Sequence, residues 1–145
     1  WVAEYGREYS ALKQGRGEAV WNSAEFMEIA REQTRREDAA ARESNRILVC
    51  DTNVFATVQW HRRYMGTRLP ELEEFAQGCR VHLYVLTGDE IPFVQDGLRD
   101  GEHLRHEMHC WFEEALAGQE VPWLLVTGDP KSRVKQVIER LHEMP

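Results

Sequence analysis

Apolar residues in this chain fall into continuous runs and into runs with helical spacing. The continuous runs are Ile47–Cys50, Val81–Thr87 and Val121–Thr127, and each passes directly into a short polar segment. Runs of this kind, without strict alternation, are typical of strands that helices cover on both faces of a parallel sheet. We therefore predict three buried strands at these positions, and a further short strand from Trp1 to Glu4.

The segments between the predicted strands carry helical patterns. Asn22, followed by Glu25 three residues later, resembles a capping box and starts a long helix that we expect to stop near Asn45. The inward face of this helix is predicted to hold Phe26, Ile29, Ala30, Ala40 and Ala41. Further helices are expected over residues 52–64, 72–76, 101–117 and 133–143. The alternation of strands and helices predicts an α/β fold with a mainly parallel sheet.

Composition narrows the class of protein. The chain has 145 residues, of which 42% are hydrophobic, so one domain with a real core is expected. A net charge of −7 disfavours general nucleic-acid binding, and no apolar run is long enough to span a bilayer. The three cysteines, Cys50, Cys79 and Cys110, form no C-x-x-C motif, which argues against a disulfide framework and favours the reducing cytoplasm.

Asp51 is the strongest single candidate for a functional role, because it directly follows the first long apolar run. Ligands of open α/β sheets bind beyond the carboxyl ends of the strands. In nucleotide-binding folds an acid at this place holds Mg²⁺. An N-cap role for Asp51 or Thr52 explains the same residues equally well.

Two arginines, Arg99 and Arg105, are candidates for phosphate binding. Guanidinium groups on a mobile loop and the following helix can close over phosphates and neutralise their charge. The alternative is that they form surface ion pairs with Asp96, Asp100 and Glu102, and the residues alone favour that alternative.

Other polar and aromatic residues have ordinary structural explanations beside functional ones. Tyr5, Trp60 and Tyr64 can stack a flat cationic ligand, although packing in the core or at its rim is the commoner role of such rings. The segment Glu4–Glu8 is predicted as a compact polar turn around its glycine. The helix near residue 106 carries several histidines, but their spacing is not H-E-x-x-H, so a metal site is not favoured there.

Three segments together resemble the ribosylnicotinamide kinase domain of the bacterial NadR family, which belongs to the P-loop kinases. They are E-Y-G-R-E at Glu4–Glu8, D-T-N at Asp51–Asn53 after the apolar run, and D-G-L-R at Asp96–Arg99. The resemblance covers nearly the whole chain. It implies a P-loop NTPase-like three-layer α/β fold with a mainly parallel sheet.

The same resemblance implies a reaction and roles for residues near the first strands. The reaction is transfer of the γ-phosphoryl group of Mg-ATP to the 5′-hydroxyl of ribosylnicotinamide, which gives nicotinamide mononucleotide. Asp51 would serve the magnesium ion, and Glu4 would bind ribose hydroxyls or act as the base, with Arg7 nearby. Trp60 and Tyr64 are candidates for contact with the cationic nicotinamide ring.

The resemblance also assigns residues in the second half of the chain. Arg99 and Arg105 match the lid arginines, which would close on the phosphates. Gly128 and Asp129 follow the last strand, where similar kinases hold adenine. Asn53 is a departure, because family members often carry a second acid at this position.

The ATP-binding Walker-A loop, G-x-x-x-x-G-K-[ST], does not occur in these residues. In the family it follows a first strand that would lie upstream of Trp1, so we interpret residues 1–145 as a single kinase-like domain without that strand and loop. Such a piece is expected to show no kinase turnover by itself. Two alternatives are a non-catalytic, regulatory nucleotide-binding module and a kinase for another nucleoside or nucleotide; the expected partners are small molecules.

Overall fold

The structure is a computed structural model that describes residues 1–144. The chain divides into a first unit, Trp1–Cys79, and a second unit that begins at Arg80. The first unit contains the helices α1 (Tyr5–Gly15), α2 (Ser23–Glu43), α3 (Val54–Met65) and α4 (Pro70–Gln77). The second contains β1 (Tyr84–Thr87), a 3₁₀ turn (Glu102–Leu104), α5 (Arg105–Ala117), β2 (Trp123–Val126) and α6 (Pro130–Glu143).

The long helix α2 begins as predicted, with a complete capping box. The Asn22 side chain accepts hydrogen bonds from the backbone N–H groups of Ala24 and Glu25, at 3.0 and 3.2 Å. In return the Glu25 carboxylate accepts the Asn22 backbone N–H at 2.8 Å. The helix ends at Glu43, close to the predicted stop at Asn45.

The core of the first unit lies where α2 packs against α3 and α4. Its buried residues are Phe26, Met27 and Ala30 of α2, Val54 of α3 and Leu72 of α4. The predicted inward face of α2 is confirmed in its first half, where Ile29 is also buried, but Ala41 near the end of the helix is exposed.

Helix α1 was not predicted, because the glycine in Glu4–Glu8 led us to expect a turn. The structure instead starts α1 at Tyr5 and places Gly6 in its first turn. A Cβ built on Gly6 would lie 3.6 Å from the Ile29 side chain, an ordinary contact distance, so this part of α1 faces α2 directly. Tertiary packing therefore outweighs the low intrinsic helix propensity of glycine at this position.

The prediction of a buried strand at Ile47–Cys50 is wrong for this structure. Ile47 and Val49 are 62% and 61% exposed, and the segment makes a single parallel bridge, between Cys50 and Val2. The strand predicted from Trp1 to Glu4 is likewise reduced to that bridge. An apolar run forms a buried strand only where neighbouring strands complete its ladder.

The second unit holds a small parallel sheet, which confirms the α/β class at that level. Strands β1 and β2 pair in parallel, with Tyr84 opposite Trp123 and Thr87 opposite Val126. Both strands are shorter than the predicted runs. Within residues 1–144 this sheet has two strands, so the larger three-layer arrangement remains a prediction.

The helices of the second unit pack on this sheet, α5 on β1 and α6 on β2. Leu116 of α5, which is buried, belongs to the small core of this unit together with Val126 of β2. Helix α6 begins at Pro130, three residues before the predicted start at residue 133. Across residues 1–144, no helix has the length and apolarity needed to cross a membrane.

Candidate functional site

A single backbone bridge brings two predicted carboxylates to the same end of the first unit. The Val2 N–H donates to the Val49 carbonyl and the Asp51 N–H donates to the Val2 carbonyl, both at 2.8 Å. Because the two segments run parallel, Asp51 and Glu4 both follow the bridge on its carboxyl side. Asp51 is exposed and Glu4 is partly buried.

Neither Asp51 nor Thr52 caps the next helix, so the capping explanation for these residues is wrong. The N-cap of α3 is Asn53, whose side chain accepts the Phe55 N–H at 3.1 Å. Thr52 has φ = 61°, a left-handed conformation that is strained for a β-branched residue, at a cost of about 1–3 kcal/mol. The chain thus bends sharply immediately after Asp51.

The end of the bridge fits the donor chemistry of magnesium. Mg²⁺ prefers oxygen ligands and is usually held by one or two carboxylates, with water and substrate phosphates completing its shell. Asp51 offers one such carboxylate, at the carboxyl end of the Val2–Cys50 bridge. Among residues 1–144, no group of three or more His, Cys, Asp or Glu side chains is placed to hold a metal ion by itself.

Gln33 supports this end of the unit and was missed from the sequence. Its side-chain oxygen accepts the Tyr5 N–H, and its amide nitrogen donates to Glu37, both at 2.8 Å. Only 2% of the residue is exposed. The signal was its spacing, because Gln33 lies seven residues after Phe26 and therefore continues the apolar stripe of α2. A polar residue in such a stripe indicates a buried hydrogen-bonding role.

Two of the predicted ring-stacking residues lie at the ends of one series of aromatic contacts. Tyr5 contacts Tyr9 with ring centroids 6.1 Å apart, Tyr9 contacts Trp21 at 6.0 Å, and Trp21 contacts Tyr64 at 5.6 Å. Trp21 was not among the predicted site residues, although it links the two ends. The structure therefore connects Tyr5 and Tyr64 through packing within the first unit.

Trp60 and Tyr64 share one face of α3 and one cation. The guanidinium carbon of Arg63 lies 5.7 Å from the ring centroid of Trp60 and 4.8 Å from that of Tyr64. Trp60 also packs against the hydrophobic core of the first unit, as the packing alternative expects. These rings already contact a protein cation, and their contact with a ligand stays a prediction.

An open surface depression of about 520 Å³ lies beside Tyr5. It is lined by Tyr5, Ala24, Glu28, Arg31, Glu32 and Arg35. The ring of Tyr5 also lies 4.4 Å from the guanidinium carbon of Arg36. Burial, first, and the neighbouring glutamates raise the pKa of the Tyr5 hydroxyl, so this group stays neutral at physiological pH. Arg7, predicted to lie near Glu4, is exposed on α1.

The two strands of the second unit end side by side, as predicted from their shared Thr-Gly-Asp sequence. The carboxylate of Glu90, which follows β1, accepts the Gly128 N–H and a guanidinium N–H of Arg133, each at 2.9 Å. These hydrogen bonds hold the pKa of Glu90 below its usual value, and the bond from Gly128 has the largest effect. A Cβ on Gly88 would collide with this carboxylate, so Glu90 occupies space that the glycine leaves open.

Gly128 and Asp129, the residues predicted to lie near adenine, form the start of α6. Gly128 has φ = 90°, which only glycine adopts readily. The Asp129 carboxylate accepts hydrogen bonds from the backbone N–H groups of Lys131 and Ser132 at 2.8 and 3.0 Å. The hydrogen bonds from Ser132 are the main cause that lowers the pKa of Asp129. The structure thus shows a helix cap at Asp129.

The two predicted lid arginines contact their own unit. Arg105 donates to the backbone carbonyl of Asp89 at 3.0 Å and also to that of Ile91. Arg99 pairs with Asp96 at 3.3 Å, as the surface ion-pair alternative expects. For Arg105 that alternative named the wrong partners, because the recorded acceptors are carbonyl groups.

Comparison with known proteins gives one family and two named relatives. A family described as an AAA domain, a P-loop type of nucleotide-binding domain, matches residues 1–133. The chain is 27% identical over 144 residues to the "Trifunctional NAD biosynthesis/regulator protein NadR" of Escherichia coli, covering 97% of this chain and 35% of that protein. It is 28% identical over 96 residues to the protein of the same name from Salmonella typhimurium, covering 66% of this chain and 23% of that protein.

These matches confirm the resemblance to NadR proteins inferred from the three motifs. The chain spans about a third or less of the length of these curated relatives. The similarity therefore concerns one part of a protein that has several named roles.

Proposed function

This chain belongs to the AAA domain family, and from that premise we propose that it is the kinase-like, nucleotide-binding domain of a NAD-salvage protein. The observation that carries the proposal is the Val2–Cys50 bridge, which brings Glu4 and Asp51 to one end of the first unit. The similarity to NadR proteins, which extends over 97% of the chain in one case, supports the NAD-related role.

The reaction that we propose is phosphorylation of ribosylnicotinamide on its 5′-hydroxyl, with Mg-ATP as the donor. Phosphoryl transfer requires positioning of the two substrates and neutralisation of charge more than covalent chemistry by the protein. Bound magnesium supplies charge neutralisation at the phosphates. Asp51 is the carboxylate of this chain that would hold it.

The first unit would bind the nucleoside. Glu4 would accept hydrogen bonds from ribose hydroxyls or take the proton of the attacking hydroxyl, and Arg7 would lie nearby. Tyr5, Trp60 and Tyr64 offer ring faces to a cationic nicotinamide, an attraction of about 0.5–2 kcal/mol for each ring. In the structure Arg63 contacts the last two rings, so nicotinamide would have to replace that contact.

The second unit would act on the nucleotide. Arg99 and Arg105 would stabilise charge on the transferred phosphoryl group, which requires them to leave Asp96 and the carbonyl groups that they contact now. Gly128 and Asp129 would contact adenine through the turn before α6. Closure of the segment that carries Arg99 and Arg105 would also exclude water from the reacting groups.

A substrate panel tests the proposal. The complete gene product, whatever its length, is incubated with Mg-ATP and with ribosylnicotinamide, adenosine, uridine and cytidine, and the nucleotides formed are separated by chromatography. Nicotinamide mononucleotide should be the main product, with the highest kcat/KM for ribosylnicotinamide. Preferred phosphorylation of another riboside would replace the substrate and keep the kinase.

A non-catalytic, regulatory nucleotide-binding module is the second candidate, because the printed name of the relatives gives a regulator role beside NAD biosynthesis. The same panel separates it from the kinase. Saturable binding of ATP by calorimetry, without phosphorylation of any riboside, would favour the module and contradict the kinase.

A further inference from the structure

An aspartate, a histidine and a cysteine form a connected series in the second unit, outside the residues assigned above. The Nδ1 atom of His106 lies 2.7 Å from a carboxylate oxygen of Asp89. The Sγ atom of Cys110 lies 3.9 Å from the other ring nitrogen, Nε2. His106 and Cys110 are one turn apart on α5, and Asp89 lies two residues after the end of β1.

The order of these groups has a chemical consequence. A carboxylate beside Nδ1 favours the tautomer that carries its proton on Nδ1, and this leaves the lone pair of Nε2 directed towards the thiol. Nε2 can then accept the thiol proton, and the carboxylate stabilises the imidazolium that forms. Cysteine, histidine and a third orienting group are the components of an activated thiol nucleophile.

The other two cysteines provide an internal comparison, because all three cysteines are free thiols of intermediate exposure. Burial, which has the larger effect, and the charge of Glu37 together raise the pKa of Cys50 to about 11. Burial also raises the pKa of Cys79, whose thiol donates to the Phe75 carbonyl at 3.5 Å. Neither cysteine has a histidine among its recorded hydrogen-bond partners within residues 1–144.

Accessibility supports a role in reaction with dissolved molecules. The His106 side chain is 83% exposed, and the Asp89 side chain is 36% exposed. A reagent can therefore reach this face of α5 without unfolding the unit. An inert structural cysteine would more usually be enclosed by apolar side chains.

We propose that Cys110 is a modification site, a thiol activated by His106 and positioned through Asp89, which forms mixed disulfides with low-molecular-weight disulfides such as oxidised glutathione. The thiol proton passes to Nε2 of His106, and the sulfur attacks one sulfur of the disulfide. The disulfide bond breaks as the Cys110–S bond forms, and the second half leaves as a thiolate that takes the proton back. One disulfide is consumed and one thiol is released, so electrons balance without a further oxidant.

The site is independent of the proposed kinase reaction, since no residue assigned to phosphoryl transfer takes part in it. Arg105 precedes His106 directly and donates to the backbone of Asp89, so modification would take place beside a predicted lid residue. The test below measures thiol chemistry alone. Its outcome therefore does not depend on whether the chain phosphorylates any nucleoside.

The test incubates the native protein with oxidised glutathione. Peptide mass spectrometry at timed intervals measures how fast each cysteine forms a mixed disulfide with glutathione. Cys110 should react at least about tenfold faster than Cys50 and Cys79, and the three rates should converge in 8 M urea, where the site is lost. Equal rates at the three cysteines in the native protein would overturn the proposal.

Variants assign the roles within the site. His106→Gln should slow the reaction of Cys110 with oxidised glutathione on the order of tenfold, while Cys50 and Cys79 keep their reaction rates. The control is His103→Gln, which replaces an exposed histidine just before α5 and should leave all three rates unchanged. Asp89→Asn should slow Cys110 as well, with partial recovery in Asp89→Glu, which restores a carboxylate. An unaltered Cys110 rate in His106→Gln, with an unchanged circular dichroism spectrum, would refute the role of the histidine.

Discussion

Lys13 and Glu25 form a buried ion pair that makes a quantitative prediction about the first unit. The Lys13 Nζ atom lies 2.6 Å from a Glu25 carboxylate oxygen, and the two side chains are only 6% and 11% exposed. Nζ also lies 5.1 Å from the ring centroid of Trp21. The other carboxylate oxygen of Glu25 completes the capping box of α2. The pair therefore joins α1 to the start of α2.

Removal of one member should cost much more than removal of both. Lys13→Met keeps the length and helix propensity of the side chain but leaves the Glu25 charge buried without its cation, which we expect to cost about 3 kcal/mol. This corresponds to a fall in Tm on the order of 10 °C for a chain of this size. Glu25→Gln should cost less than Lys13→Met, because Lys13 keeps its second ion pair, with Glu18 at 3.7 Å, and glutamine is still suited to the capping box.

The double variant, Lys13→Met with Glu25→Gln, should be more stable than Lys13→Met alone, and therefore more stable than the sum of the single changes predicts. Urea unfolding followed by tryptophan fluorescence and circular dichroism measures all four free energies of unfolding. Lys135→Met is the matched control, because its ion pair with Glu139 on α6 is exposed and should contribute less than about 0.5 kcal/mol. Additive single changes, or single costs no larger than that of the control, would refute this account of the pair.

Three further predictions concern the proposed site and the stability of α2. Asp51→Asn should abolish Mg²⁺-dependent turnover of the complete gene product and leave its circular dichroism spectrum unchanged; a near-normal rate would remove Asp51 from the reaction. Arg99→Ala should lower kcat more than it weakens nucleoside binding, as kinetics and calorimetry can separate, and an unchanged kcat would contradict its lid role. Burial is the main cause that raises the pKa of Glu37 in the folded protein above its pKa in the unfolded chain. The charged form of Glu37 therefore destabilises the fold as pH rises through the folded pKa. Glu37→Gln should therefore raise the urea midpoint at pH 7 and leave it unchanged below about pH 4, and an equal gain at both pH values would contradict this explanation.

Features of the fold that depend on neighbouring residues were predictable from the sequence. The capping box of α2 needs only Asn22 and Glu25, three residues apart, and both of its reciprocal hydrogen bonds are present. The strands β1 and β2 were also located, because each combines an apolar run with a Thr-Gly-Asp ending. The residues that signal these features lie close together in the sequence.

Features that depend on distant partners were not predictable in the same way. Helix α1 starts at Tyr5 because Gln33, 28 residues away, accepts the first N–H group, and no pattern within residues 4–8 records that contact. The run Ile47–Cys50 has the composition of a buried strand, yet its neighbours decide whether it becomes one. Both motifs, at residues 4–8 and 51–53, follow the Val2–Cys50 bridge on its carboxyl side, and the joint role of Glu4 and Asp51 in a site stays a prediction.

The contact between Glu90 and Gly128 shows how two local signals combine into a structure that neither contains alone. Each glycine of the repeated Thr-Gly-Asp sequence ends a strand, but they serve different purposes. Gly88 leaves the space that the Glu90 carboxylate occupies, whereas Gly128 adopts a left-handed conformation, and its N–H group donates to that carboxylate. Parallel pairing of β1 and β2 is what brings the two turns together, and Arg133 then neutralises the charge. A side chain at residue 88 would displace the Glu90 carboxylate from the Gly128 N–H and Arg133, whereas a side chain at residue 128 would strain the backbone, so the two glycines contribute to this contact in different ways.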